Sequence, residues 1–332
     1  MEWVPVVLVI ALAMGFTYTN GFHDASNAVA TSVSTRALTP RVALALAAVM
    51  NLFGGFLGVR VAQTIGSDII AVPMGGRGVA VCAGALLGAI AWNLLTWWRG
   101  MPSSSSHALI GGLGGAALAA GASVKWDSII DKVLLPMLLS PLIGVVGGFA
   151  LMTGILWAFR RSSPGRTGRG FRYAQTVSAA AMAFGHGMQD ASKTAGVVVL
   201  TLVASGHREV GDESVPWWVI TLSAVVLALG TYAGGWRIMR TLGRRIIDLS
   251  APQGFAAEAT AAAVLYAATA TGAPISTTHA ITAAIMGSGA TRSAKAVRWG
   301  VVRSILLAWL LTFPGAGAAA AAAYGVLSLL TS

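Results

Sequence analysis

Gly21-Phe22-His23-Asp24-Ala25-Ser26 returns as Gly187-Met188-Gln189-Asp190-Ala191-Ser192, and Pro102-Ser103-Ser104-Ser105-Ser106-His107-Ala108-Leu109 returns as Pro274-Ile275-Ser276-Thr277-Thr278-His279-Ala280-Ile281. The first pair is offset by 166 residues, Asp24 to Asp190, and the second by 172, Pro102 to Pro274, each about half of the 332-residue chain. Two unlike motifs recurring in the same order at nearly the same spacing mark a duplicated unit.

What was duplicated is a membrane segment. The chain is 56% apolar and only 10% charged, with a mean hydropathy of +0.74, whereas soluble domains are about one quarter charged. A polytopic helix with its loop takes about 27 residues, so the length allows roughly 10 to 12 membrane segments. Uninterrupted apolar stretches run over 4–19, 42–59, 79–98, 133–159, 217–236, 255–271 and 301–330. Between them lie apolar segments carrying Asp, His, Ser and Pro, at 21–37, 102–121, 173–204 and 274–289. The expected fold is an all-α polytopic membrane protein of two repeats with broken or re-entrant helices. Residues 1–158 form the first repeat, 159–172 a short basic cytoplasmic loop and 173–332 the second repeat. Such duplication is common in secondary transporters.

The charge follows the membrane. Lys and Arg outnumber Asp and Glu by 22 to 11, but the excess sits in short loops. Residues 160–172 hold five arginines and 237–245 hold four, with no acid in either, which places both on the cytoplasmic side. The loop between them pairs Arg208 with Glu209, Asp212 and Glu213 and belongs outside. This distribution argues against nucleic-acid binding. The lone cysteine, Cys82, excludes a disulfide framework and a cysteine metal site.

Asp24 and Asp190 occupy the same repeat position, each in what reads as a glycine-flanked break of an apolar segment. A carboxylate at mid-membrane costs about 3 kcal/mol on insertion scales. Either it caps a first helical turn or it holds a cation or a proton. The Pro, Ser/Thr, His runs place hydroxyls after a proline that can open a helix at its first position. Free backbone N–H groups and the positive helix end then favour an oxyanion, unless the hydroxyls only bond between helices. His107 and His279 line such a site, move protons or pack. His23 adjoins Asp24. Asn27 and Lys193 stand three residues after each Asp, so Asn27 could ligate a cation and Lys193 could pair with an anion or with Asp190. Glu258 is a buried acid that the first repeat lacks, fit for an ion or for a structural bond. Ser106 beside His107 is no hydrolase dyad, because adjacent helical residues do not face each other.

These residues, with Trp92-Asn93-Leu94-Leu95-Thr96-Trp97, resemble the PiT family of inorganic phosphate transporters over nearly the whole chain. Where that family has Asn before each Asp, this chain has His23 and Gln189. The His form, with Asn27-Ala28-Val29-Ala30-Thr31 and Thr35-Arg36-Ala37, is similar to the bacterial low-affinity branch, which is proton-coupled and carries metal-phosphate complexes. Sodium-coupled relatives keep Asn.

The resemblance implies inverted repeats, a homodimer in the lipid bilayer of the cytoplasmic membrane, and phosphate symport without an enzyme activity or a cofactor. Ser103, Ser104, Ser105, Ser106, Ser276, Thr277, Thr278 and Gln189 would bind phosphate between facing half-helices. Asp24, Asn27, Asp190 and Glu258 would handle the coupling ion, H+ rather than Na+, with His23, His107 and His279 as proton carriers or lining. A sulfate carrier, or a divalent-metal or metal-phosphate carrier, is the alternative.

Overall fold

The computed structural model describes residues 3–212 and 214–331, which leaves Glu213 of the acidic loop outside the described residues. In the first half the helices are α1 (Trp3–Ser34), α2 (Pro40–Gly54), α3 (Val59–Ser67), α4 (Gly76–Arg99), α5 (Ser105–Ala119), α6 (Trp126–Ile129) and α7 (Leu135–Ala158). The second half has α8 (Pro164–Ala204), α9 (Trp217–Ala233), α10 (Trp236–Arg240), α11 (Ala251–Ala270), α12 (Thr277–Ala290) and α13 (Trp299–Thr331). Among the described residues there is no strand, only an isolated bridge between Ile70 and Val124.

Among the described residues, five spans are long and apolar enough to cross a membrane alone: Trp3–Ser34, Pro40–Leu57, Gly76–Arg99, Trp126–Ala158 and Trp299–Leu329. A sixth is α9 with α10, bent by 59° at the break between them. The more polar α8, of 41 residues, and α11, of 20, have the length, since about 20 helical residues span the hydrocarbon core. At 15 and 14 residues, α5 and α12 reach about 22 Å at 1.5 Å per residue, short of a full crossing. The total of ten sits at the lower edge of the expected range. Basic residues 160–172 do not form one loop, because α8 already begins at Pro164.

The expected breaks at Asp24 and Asp190 are absent. Both aspartates lie inside continuous helices, α1 and α8. Their flanking glycines serve close packing instead. A Cβ on Gly187 would sit 2.3 Å from the Asn51 carbonyl oxygen, and one on Gly21 would sit 2.7 Å from that of Leu227. Removing two Cβ atoms therefore brings α2 against α8 and α9 against α1. Neither aspartate caps a helix.

Those contacts reveal how the halves combine. α2 of the first half lies on α8 of the second, and α9 of the second on α1 of the first. In the same way α5 packs on α13, and α12 on α7. Each half thus completes the other, and the polar segments end up at their mutual interface. Exposed tryptophans stand at helix ends, including Trp98, Trp157, Trp217 and Trp299, the placement expected of an interfacial aromatic belt.

Candidate functional site

The two short helices begin at one place in the interior. α4 ends at Gly100, whose φ of +65° is open to glycine, and α11 ends before Gly272 at φ +74°. These glycines share the 172-residue offset of the motifs they precede. Pro102 and Pro274 follow, and neither opens its helix. The Ser104 and Ser276 side chains cap instead, each accepting from the amide of the histidine three residues on, at 3.2 Å. α5 therefore starts at Ser105 and α12 at Thr277. The first-turn amides of Ser105, Ser106, Thr277 and Thr278 have no acceptor within their helices, by helix geometry.

The starts abut. Ser106 Oγ donates to the Ile275 carbonyl at 3.3 Å, and the rings of His107 and His279 meet edge to face with centroids 4.4 Å apart. His107 stacks on Phe313 and His279 on Trp309, whose indole N–H donates to the Pro102 carbonyl at 3.0 Å. Neither nitrogen of His107, nor Nε2 of His279, has a hydrogen-bond partner, and Ser105 Oγ has none either. All are buried. Asn27 Nδ2 donates to Thr277 Oγ1 at 3.2 Å and to Thr278 Oγ1 at 2.9 Å, which leaves both hydroxyl protons to donate onward.

The aspartates adjoin these helix starts. His23 Nδ1 lies 2.6 Å from Asp24 Oδ1, and its Nε2 lies 3.0 Å from Thr96 Oγ1. Thr96 accepts from Ser103 at 2.8 Å, so Ser103 serves the His23 side of the site and not a helix start. Asp190 Oδ1 takes Lys193 Nζ at 2.9 Å, while Oδ2 faces His186 Nε2 at 3.0 Å and Asn20 Nδ2 at 3.3 Å. One oxygen of each aspartate and a His186 nitrogen lie within 4.8 Å of one another. That trio can hold a cation.

The protonation of His186 follows from its partners. Thr231 donates to the Leu227 carbonyl at 2.9 Å and so accepts from Asn51 Nδ2 at 2.7 Å. This turns the Asn51 carbonyl oxygen toward His186 Nδ1, 3.0 Å away, and Nδ1 must donate. Nε2 of the neutral ring then presents a lone pair to the Asp190 carboxylate. Only a proton or a metal cation makes that approach favourable.

Two expected residues stand elsewhere. Glu258 accepts from Thr31, from Ser178 at 2.5 Å and from Gln175 Nε2 at 3.4 Å. Thr31 is seven residues beyond Asp24 on α1, about 10 Å along the helix, so Glu258 is not part of the trio. Gln189 donates to Thr269 Oγ1 at 2.9 Å and to the Ala273 carbonyl at 3.2 Å, which fixes the turn before α12 and not the helix start itself. Asn20, His186, Asn51 and Thr96 were not anticipated as a group. Asn20 and His186 do share the 166-residue offset of the aspartates, a signal present in the sequence.

A profile of the phosphate transporter family matches residues 20–169 and, a second time, residues 159–320. The chain belongs to the phosphate transporter family. Membership makes it a multi-pass membrane transporter and not an enzyme. It is 41% identical over 330 residues to a probable low-affinity inorganic phosphate transporter of Bacillus subtilis (strain 168), covering 98% of each chain. Proteins of the same description from Rhizobium meliloti (strain 1021) and Mycobacterium leprae (strain TN) are 45% and 43% identical, with 96% and 98% of this chain covered and 95% and 78% of theirs. Among solved structures, one titled the sodium-dependent phosphate transporter superposes with a TM-score of 0.87 at 25% identity, covering 98% of this family member and 99% of that chain.

Proposed function

We propose that this chain imports inorganic phosphate across the cytoplasmic membrane by symport with protons. The observation that carries the reading is the meeting of two helix N-termini, α5 and α12, at one buried point lined with hydroxyls. Each offers free amides and the positive end of a helix dipole, a combination that suits an oxyanion. Ser105, Thr277 and Thr278 supply hydroxyl donors, Ser106 links the site to Lys193, and Ser104 and Ser276 shape the helix starts. Ser103 and Gln189 hold the flanking segments.

Proton coupling is supported by two histidines, each beside a carboxylate. His23 lies against Asp24, and His186 presents Nε2 to Asp190. Bringing an anion next to two carboxylates raises the cost of all three, and a proton taken up at the His23–Asp24 pair offsets part of it. The coupling ion and the anion then cross together as the halves rock against each other, an inverted-repeat mechanism suited to the reciprocal packing of the helices. Glu258 ties α1, α8 and α11 together through Thr31, Gln175 and Ser178. The Asp24, His186 and Asp190 trio also suits a divalent cation, so a metal-phosphate substrate is the second reading. The exposed apolar face of α7, with Leu138, Leu142 and Val146, suits lipid or the second copy of a homodimer.

The test is uptake of labelled phosphate into proteoliposomes under an inward proton gradient, free of sodium, with arsenate and sulfate as competitors. Gradient-driven uptake blocked by arsenate and not by sulfate is expected. Uptake that requires sodium would replace the proton, a requirement for magnesium or calcium would select the metal complex, and sulfate-sensitive uptake would change the substrate.

A further inference from the structure

Lys193 is among the largest fully buried side chains of the molecule, in a region where a lysine is rare without a task. Its ammonium donates to three oxygens: Ser106 Oγ at 2.5 Å, the Ile275 carbonyl at 2.7 Å and Asp190 Oδ1 at 2.9 Å. A hydroxyl, a backbone carbonyl and a carboxylate converging on one point form the ligand set of a hard monovalent cation.

The duplication supplies the comparison. Lys193 stands at the position of Asn27, 166 residues on, and Ser106 at the position of Thr278, 172 residues before it. The contacts are reciprocal: Asn27 of the first half donates to Thr278 of the second, and Lys193 of the second donates to Ser106 of the first. One difference breaks the symmetry. Asn27 carries no charge, and its Oδ1 is buried without a partner, so the first half keeps an unused oxygen beside Asp24. The second half has its positive charge built in.

We propose that the Lys193 ammonium is a tethered substitute for a mobile cation, so that the second half of the site is neutralised permanently and only the Asp24 half takes an ion in each cycle. The assignment deepens the symport reading and rests on it. It gives one mobile cation per phosphate, and a transporter indifferent to sodium at the second position. A tethered charge also remains when the anion leaves, which keeps Asp190 paired in the empty return step.

The experiment compares wild type with K193N, which installs the residue of the first half, and with D190N/K193N, which removes both charges. Purified proteins are heated in sodium chloride and in choline chloride. K193N should gain thermal stability from sodium, while wild type and the double variant respond equally to both salts. In proteoliposomes K193N should lose most of its sodium-free uptake and recover most of it with sodium on both sides. A K193N protein that ignores sodium, or a double variant that still responds to it, overturns the assignment. Ion stoichiometry of the unmutated protein is a check independent of folding: one coupling cation per phosphate supports the proposal, and two overturn it. If wild type moves no phosphate under any gradient, the transport reading fails, while the thermal comparison still judges Lys193.

Discussion

Asn27 on α1 reaches across to Thr278 on α12 at 2.9 Å, linking the residue beside one carboxylate to a hydroxyl in the first turn of the opposing short helix. The proposed ion side and the proposed anion side of the site therefore share a hydrogen bond. Asn27→Ala should raise the KM for phosphate and weaken coupling together, whereas Asn27→Asp should preserve the reach while adding a charge. Phosphate affinity measured in the presence and absence of the driving gradient checks this. If the alanine variant keeps the wild-type dependence of KM on the gradient, that bond does not couple the two sides.

Asp24→Asn should abolish concentrative uptake and leave phosphate exchange across the membrane at a measurable rate, because exchange needs binding and reorientation but no net ion movement. The comparison is gradient-driven uptake against counterflow in the same vesicles. Normal concentrative uptake would remove Asp24 from coupling.

His107→Phe keeps a ring between Phe313 and His279 and removes both nitrogens. If the ring N–H donates to phosphate, the KM should rise by about tenfold or more, the value of one hydrogen bond to a charged group, with the thermal transition of the purified protein unchanged. An unchanged KM would make the histidine pair a packing element.

Glu258→Ala should destabilise the fold by about 2 to 5 kcal/mol, because Thr31, Ser178 and Gln175 would lose their common acceptor inside the protein. Glu258→Gln retains one carbonyl oxygen and should cost about half as much or less. Thermal unfolding in detergent measures both. Equal transitions for the alanine variant and wild type would show that the network carries no stability.

Gly187→Ala should lower stability and uptake together, since its new methyl meets backbone of α2 2.3 Å away and the helices must part, pulling Asn51 from His186. Gly154→Ala, where no atom lies within 4 Å of the added carbon, should leave both unchanged. A harmless Gly187→Ala would mean that α2 shifts without disturbing Asp190.

The sequence was most legible where its own duplication provided a comparison. The repeated Asp and Pro-Ser/Thr-His motifs pointed to the segments that folding brings together around α5 and α12, and composition pointed to membrane-spanning helices. Helix continuity was not legible. Glycines beside a buried Asp read as breaks, yet Gly21 and Gly187 prove to be contact points between helices, a fact that depends on partners 206 and 136 residues away, Leu227 and Asn51. The separation of Glu258 from the other acids was hidden for the same reason, as hydropathy reports depth in the membrane and not position within it. Lys193 could be seen as charged, but its three acceptors come from segments that only folding brings together.

The exchange of helices between halves has a consequence for biogenesis. Residues 1–158 leave the ribosome with α5 lacking α13 and α2 lacking α8, and with Asn27 and Ser106 still without their second-half partners Thr277, Thr278, Ile275 and Lys193. Insertion must therefore run ahead of assembly, and the newborn first half waits in the bilayer with its polar face uncovered. Two halves synthesised as separate polypeptides should find each other only when produced together, and a ribosome that stalls after α7 leaves a substrate for membrane quality control.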